Sequence, residues 1–357
     1  MALNSNFWSG KKVFVSGHTG FKGGWLSLWL QHLGAHVTGF ALSPPSYPNF
    51  YEIAHVGDGM KTILGDIRDS ELLAKAICNS QPEVVFHLAA QPLVRRSYVN
   101  PIETYSTNVM GTVNLFEAIR RTSSVRAVIN VTSDKCYENK EWVWGYRENE
   151  AMGGFDPYSS SKGCSELITA AYRNSFFNPS KYQEHRVGIA TVRAGNVIGG
   201  GDWSEDRLIP DMLRAIEHGQ SVNVRNPTAV RPWQHVLEPI SGYLCLAEMI
   251  FTHGLEFAEP FNFGPSENDV KQVSWIIEAM TKSWGADLNW NFDRATHPHE
   301  ANQLRLDCTK AKNLLGWQPK LTLDQAINYI VLWHKAHLGE ADMHKTSLAQ
   351  IEEFSNI

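Results

Sequence analysis

The chain has 357 residues, 43% of them hydrophobic, and a formal net charge of -5. That apolar content supports a sizeable core in one large domain or two modest ones, while a mildly acidic balance without dense Lys/Arg runs argues against nucleic acid or anionic lipid as the main partner. The cysteines Cys78, Cys136, Cys164, Cys245 and Cys308 are odd in number, scattered and without a CxxC, so neither a disulfide framework nor a metal site is expected.

The opening stretch MALNSNFWSGKK has no long apolar core, and no uninterrupted apolar run reaches the ~18 residues of a spanning helix. A cytoplasmic protein free of membrane is therefore expected. From residue 11 to about 195, short β-branched runs alternate with segments of helical period. KVFVSG, HVTGFAL, KTILGD, EVVFHLAA, RAVINVTS and VGIATVRA are nearly continuous apolar runs, the pattern of parallel strands buried on both faces. The helical segments between them include GGWLSLWLQHLGA, SELLAKAICNS, PIETYSTNVMGTVNLFEAIRRT and SKGCSELITAAYRNSF. This rhythm predicts an α/β fold with a doubly wound parallel sheet of Rossmann type over residues 1–195, open to later strands. Residues 196–339, rich in Gly, Pro, Trp and Asn, read mainly as a smaller substrate-binding lobe at the carboxyl ends of the strands, where open α/β sheets bind ligands. The polar tail, 340–357, is expected to be loosely held.

Gly17, Gly20 and Gly23 follow the first strand and open a helix, where glycines permit a tight turn and close approach of backbone to a pyrophosphate. The spacing is GxxGxxG. The second strand ends in TGFALSPPSYPN, with neither an acid for a ribose hydroxyl nor an Arg for a 2′-phosphate. NAD is favoured over NADP, whose extra charge needs a basic partner. Asp66, after the third strand, either accepts a hydrogen bond from an adenine amino group or caps the following helix.

The fifth strand ends in Thr132, Ser133, Asp134 and Lys135. Tyr158 and Lys162 stand four residues apart in DPYSSSK, a helix start after Pro157, so both lie on one helix face. An ammonium near a phenol of ordinary pKa ~10 favours the phenolate, which makes the two a proton-transfer pair.

The glycine turn, HLAAQ, TNVMGT, the strand-end Ser133, YxxxK and KNLLGWQPKLTLDQAI together resemble the extended short-chain dehydrogenase/reductase family over nearly the whole chain. A reactive couple after the strand-end hydroxyl resembles its nucleotide-sugar 4,6-dehydratase branch, and SDKCYEN, GHTGFKG and RPWQHVLEP resemble the members that act on CDP-glucose. The resemblance implies a lyase serving deoxysugar and O-antigen synthesis, with NAD as cofactor and a homodimer built through a four-helix bundle. It places Gly17, Thr19, Gly20, Phe21 and Gly23 at the cofactor pyrophosphate, Asp66 and Ile67 at adenine, and Leu88, Ala89, Ala90 and Asn108 along the rest of the groove. Ser133 and Tyr158 bracket the sugar C4 hydroxyl, and Lys162 also holds the nicotinamide ribose. Asn196, Arg207, Leu208, Ile209 and Arg231 grip the nucleotide diphosphate, for which an Arg offers bidentate pairing.

Many members of that branch carry Asp-Glu after the hydroxyl, with Glu as the base for C5; here the couple is Asp134-Lys135. Lys135 serves as base only if burial or a neighbouring cation makes its neutral form accessible, and otherwise it only orients Asp134. Asp134, kept protonated, is the acid for the C6 hydroxyl. A C4 epimerase on the same scaffold needs no such couple, and a non-catalytic dinucleotide-binding regulator needs neither Tyr158 nor Lys162. HPHE (297–300) reads as a loop near substrate phosphate, and Cys136 as a buried thiol.

Overall fold

The computed structural model describes residues 3–285, 289–293, 295, 301 and 303–357. The strands, in chain order, are β1 (Lys12–Ser16), β2 (His36–Ala41), β3 (Lys61–Leu64), β4 (Val84–His87), β5 (Ala127–Val131), β6 (Gly188–Ala194), β7 (Asn196–Ile198), β8 (Val222–Val224), β9 (Val230–His235), β10 (Phe261–Phe263), β11 (Val270–Gln272) and β12 (Trp290–Phe292). Seven of them form one sheet in the order β10-β6-β5-β4-β1-β2-β3, and every neighbouring pair in it is parallel.

The near-continuous apolar runs have a direct cause. Side chains alternate across a strand, and both faces of this sheet are covered. Val13, Val15, Val84, Phe86, Ile129 and Val192 enter the core shared with Trp25, Trp29 and the helix Leu237–His253. Their neighbours Phe14, Val85, Val128 and Ile189 enter the opposite core with Leu73, Ile77, Leu115 and Phe116. At the sheet edge β3 stays largely exposed.

The strand order reverses between β1 and β4, opening a crevice at their carboxyl ends. The second lobe covers that end with β7, β9 and β11 as a small sheet and with β8 paired to β12. Its own core joins Ile209, Met212 and Leu213 to Trp233, Ile276, Ile277 and Ile330. The chain past residue 196 does not all stay in the lobe, because β10 returns as the seventh strand of the main sheet.

The expectation of a loose tail is overturned. Asp342 caps a helix, Met343–Asn356, that buries Ile351 and Phe354. Phe354 packs edge-on against Trp29, and Gln350 donates to the Tyr329 carbonyl. The few apolar residues of this polar segment lie on one face, which is enough to dock it. The HPHE run (297–300) lies outside the described residues.

Candidate active site

The crevice is built from backbone on both sides. Gly17 has φ +81°, and a Cβ there would lie 2.7 Å from the Ala89 nitrogen, so the turn after β1 touches the loop after β4 directly. A Cβ on Gly23 would lie 2.1 Å from the Gly17 carbonyl oxygen, which locks the first helical turn of Phe21–His32 onto that loop. Gly20 caps this helix and differs from both: a Cβ there would meet only the Gly17 oxygen, at 3.5 Å, and would otherwise face open space. An open glycine cap beside the free N–H groups of a helix start is a cradle for a phosphate, so these residues fit a dinucleotide. The Thr19 hydroxyl donates to the Leu42 carbonyl, 2.8 Å away, and holds the turn against the end of β2.

Hydrogen bonds fix the far wall. The Ser16 hydroxyl accepts from the Leu88 and Ala89 amides at 3.1 and 3.2 Å. Asn108 sits in a single π-turn, Ser106–Met110, and its amide is spent on the Gln91 backbone and on Ser161. Its side chain therefore shapes the groove through Gln91. Ile67 is buried under Gly111, where a Cβ would strike it at 2.7 Å. The Asp66 carboxylate takes Nε of Arg68 at 2.9 Å, and the Arg68 guanidinium holds it below the usual carboxylate range.

Ser133, Asp134, Tyr158 and Lys162 converge at the carboxyl end of β5. Ser133 caps the short turn Asp134–Cys136, accepts from the Lys135 amide at 3.2 Å and donates to Asp134 Oδ1 at 3.1 Å. Burial raises the Asp134 carboxyl against the opposing pull of Lys135, Ser133, Arg231 and Lys22, and its Oδ2 is buried without a hydrogen-bond partner. Tyr158 and Lys162 share the inner face of the helix Pro157–Ser175, which starts on an Asp156 cap. Gly163 lets that helix approach closely, since a Cβ there would lie 2.7 Å from the Gly153 carbonyl.

Burial pushes the Lys162 amine down to about 8, and its Nζ donates to the Val131 carbonyl at 3.2 Å. In the chain by itself, burial drives the Tyr158 phenol up to about 12, against the hydrogen bond with Ser133 and the charge of Arg207. The Cys136 thiol is buried and raised well above its ordinary value, as befits an inert core thiol.

From the second lobe, Arg207 caps the helix Leu208–His218, pairs with Asp202 at 2.9 Å and acts on Tyr158, while Arg231 in β9 acts on Asp134. Asn196 opens β7 opposite Trp233 of β9. Ile209 belongs to the lobe core, so only its backbone is left to face a ligand, while Leu208 packs on that core and stays partly exposed.

Three features escaped the sequence reading. Lys22, in GFKGG on the glycine-turn helix, has its amine pushed down to about 7 by burial and by the charges of Arg207 and Lys162, against the pull of Asp134. The Tyr243 ring is fully buried with Lys22 Nζ 5.9 Å from its centroid. Glu166, four residues beyond Lys162, forms a buried pair with Arg193 of β6. The available signals were a lysine in an otherwise apolar helix start and the continuation of the Tyr158–Lys162 spacing to Glu166.

The GDP-mannose 4,6 dehydratase family model matches residues 14–330. The chain is 56% identical over 352 residues to a CDP-glucose 4,6-dehydratase of Salmonella typhimurium, which covers 99% of this chain and 98% of that relative. It is 24% identical to dTDP-glucose 4,6-dehydratase 1 of Escherichia coli K12, over 95% of this chain and 97% of the relative. Among solved structures, the dTDP-glucose 4,6-dehydratase of Bacillus anthracis in complex with NAD has the same fold, with TM-score 0.76, 21% identity and coverage of 93% of this chain and 98% of that one.

Proposed function

The chain belongs to the GDP-mannose 4,6 dehydratase family, and we propose that it converts CDP-D-glucose to CDP-4-keto-6-deoxy-D-glucose and water with NAD as cofactor. The likeness to the Salmonella enzyme over nearly the full length of both chains supports the substrate. The observation that carries the chemistry is Asp134, a buried carboxyl raised by burial beside Ser133 and Tyr158. A C4 epimerase has no use for such an acid.

NAD, when bound, supplies the acceptor for the C4 hydride and returns that hydride to C6. The open cap at Gly20 and the turn from Gly17 to Gly23 hold its pyrophosphate, with Thr19 and Phe21 in the turn. Asp66 and Ile67 lie at the adenine end, and Leu88, Ala89 and Ala90 form the far wall that Asn108 supports. Tyr158 takes the C4 hydroxyl proton with Ser133 as its hydrogen-bonding neighbour, and Lys162 supports the pair. The 4-ketone makes the C5 hydrogen acidic enough for Lys135 to remove. Asp134 then protonates the C6 hydroxyl as it leaves. Lys135 returns its proton to C5, so the net reaction is loss of water without redox change. Arg207, Arg231, Asn196, Leu208 and the backbone of Ile209 hold the nucleotide diphosphate.

The test uses CDP-glucose deuterated at C4, alongside dTDP-, GDP- and UDP-linked hexoses. Deuterium is expected at C6 of the product, with CDP-glucose preferred. Deuterium lost to reduced cofactor identifies a plain dehydrogenase, and deuterium back at C4 with inversion identifies an epimerase.

A homodimer through the helices around residues 103–121 and 160–176 is supported by apolar side chains left exposed on them, Met110 and Leu167 among them. Five unpaired cysteines support a cytoplasmic setting, and no helix among the described residues is long and apolar enough to cross a membrane. The product class suits deoxysugar and O-antigen synthesis.

A further inference from the structure

His87 closes β4 after three apolar residues, Val84, Val85 and Phe86, and is 3% exposed. The Leu88–Ala89 wall of the crevice follows it directly. An imidazole is costlier to bury than an aliphatic side chain unless both ring nitrogens find partners. Here both do: Nδ1 lies 2.7 Å from the Ser16 hydroxyl at the end of β1, and Nε2 lies 3.1 Å from the Thr112 hydroxyl on the helix Gly111–Arg120.

The partners leave one direction for these protons. Ser16 Oγ accepts from the Ala89 amide at 3.2 Å and shares the Leu88 amide with its own carbonyl, so its lone pairs are in use and its proton goes to Nδ1. Thr112 donates its own proton to the Asn108 carbonyl at 2.7 Å, so it accepts from His87 and the ring proton sits on Nε2. Both ends demand the same neutral tautomer. Burial, with the charge of Lys162 adding to it, lowers the imidazole to about 3, so the ring keeps that form near neutral pH. Thr112 in turn lies 3.3 Å from the Ser165 hydroxyl, on the helix that carries Tyr158 and Lys162. With both nitrogens spent, His87 is neither acid nor base for a substrate.

We propose that His87 is a positioning residue for the cofactor, a fixed Nε2–H imidazole that anchors on Thr112 and aims the Ser16 hydroxyl so that its lone pairs hold the Leu88–Ala89 wall against the glycine turn. The fit there is tight, because the Ala89 nitrogen is the atom that a Cβ on Gly17 would strike at 2.7 Å. If Ser16 turned its proton toward the Ala89 amide instead, two donors would face each other, and this contact has no slack to absorb the resulting shift of the wall. An aliphatic residue at position 87 fills the space but leaves the hydroxyl free to turn.

The inference rests on the crevice being the NAD site, and the experiment separates the two. Asparagine carries its side-chain oxygen at the reach of Nδ1, and glutamine its side-chain nitrogen at the reach of Nε2. His87→Asn therefore keeps an acceptor for Ser16, whereas His87→Gln keeps only the donor to Thr112. Each leaves one buried hydroxyl short of a partner, so both should melt below wild type by similar amounts. NAD titration should nonetheless separate them: His87→Asn should bind NAD near normally, and His87→Gln about tenfold more weakly, the weight of one buried hydrogen bond left unmade. Ser16→Ala should reproduce the loss seen in His87→Gln, and the double variant should lose no more than either single one. In cofactor-free wild type, nitrogen-15 spectra of the ring should show Nδ1 unprotonated and Nε2 protonated, which decides the tautomer even where a variant fails to fold. Equal NAD affinity in the Asn and Gln variants, additive losses in the double variant, or a proton on Nδ1 overturns the role. Failure of wild type to bind NAD overturns the reading of the crevice instead.

Discussion

Glu166 and Arg193 form a buried ion pair, Oε2 to Nη2 2.8 Å, that holds the reactive segment from both ends. Glu166 accepts from the Thr132 hydroxyl just before Ser133. Arg193 donates at 2.7 Å to the Tyr137 hydroxyl just after the Asp134–Cys136 turn, and that hydroxyl donates to Asn262 at 2.7 Å. Removing one partner of a buried pair strands the other charge, so Arg193→Met should cost about 3–5 kcal/mol in denaturant unfolding. Burial alone would raise the Glu166 carboxyl, but Arg193, Thr132 and Thr191 hold it below the ordinary range. Its contribution to stability is therefore present above the unfolded carboxylate pKa of ~4.3 and lost as pH falls through the lower folded value. Glu166→Gln should remove that part of the acid slope.

Gly20→Ala and Gly23→Ala should behave differently. At Gly20 a methyl group enters open space where a phosphate is expected, so NAD affinity should fall while the thermal midpoint hardly moves. At Gly23 it lands 2.1 Å from the Gly17 oxygen, so the turn itself should be destabilised. Calorimetry and cofactor titration of both variants check the contrast.

Tyr158→Phe removes one hydroxyl from the site and no core contact. Turnover should fall by about 10²–10⁴, the usual weight of a positioned acid or base, with an unchanged melting curve. Near-normal rates would remove the tyrosine from proton transfer.

Lys135→Ala should slow C5 exchange more than C4 oxidation, so reduced cofactor accumulates in a single turnover. Intact C5 exchange with no reduced cofactor would leave Lys135 only orienting Asp134.

Sedimentation at micromolar concentration should give a species near twice the 40.1 kDa chain mass. A charge at Leu167, which is 60% exposed on the helix Pro157–Ser175, should shift it toward monomer. A species that is monomeric without that substitution counts against the dimer.

The sequence by itself determined the doubly wound sheet, because strands covered on both faces are buried at every position and so read as mostly apolar runs, as β4, β5 and β6 do. It also placed the glycine turn and the Tyr158–Lys162 pair, whose geometry depends on local spacing alone. What only the tertiary structure decided depends on residues distant in the chain. Lys22, Asp134, Lys162, Arg207 and Arg231 come from separate elements, and no short pattern could announce their meeting. The rise of the Tyr158 phenol follows from burial, which a motif does not carry. Ile209 goes to the lobe core because the hydrophobic face of its helix packs in one cluster with Trp233 and Ile276. The tail becomes a docked helix because Trp29, far away in the chain, and Tyr329 of the preceding helix are there to receive it.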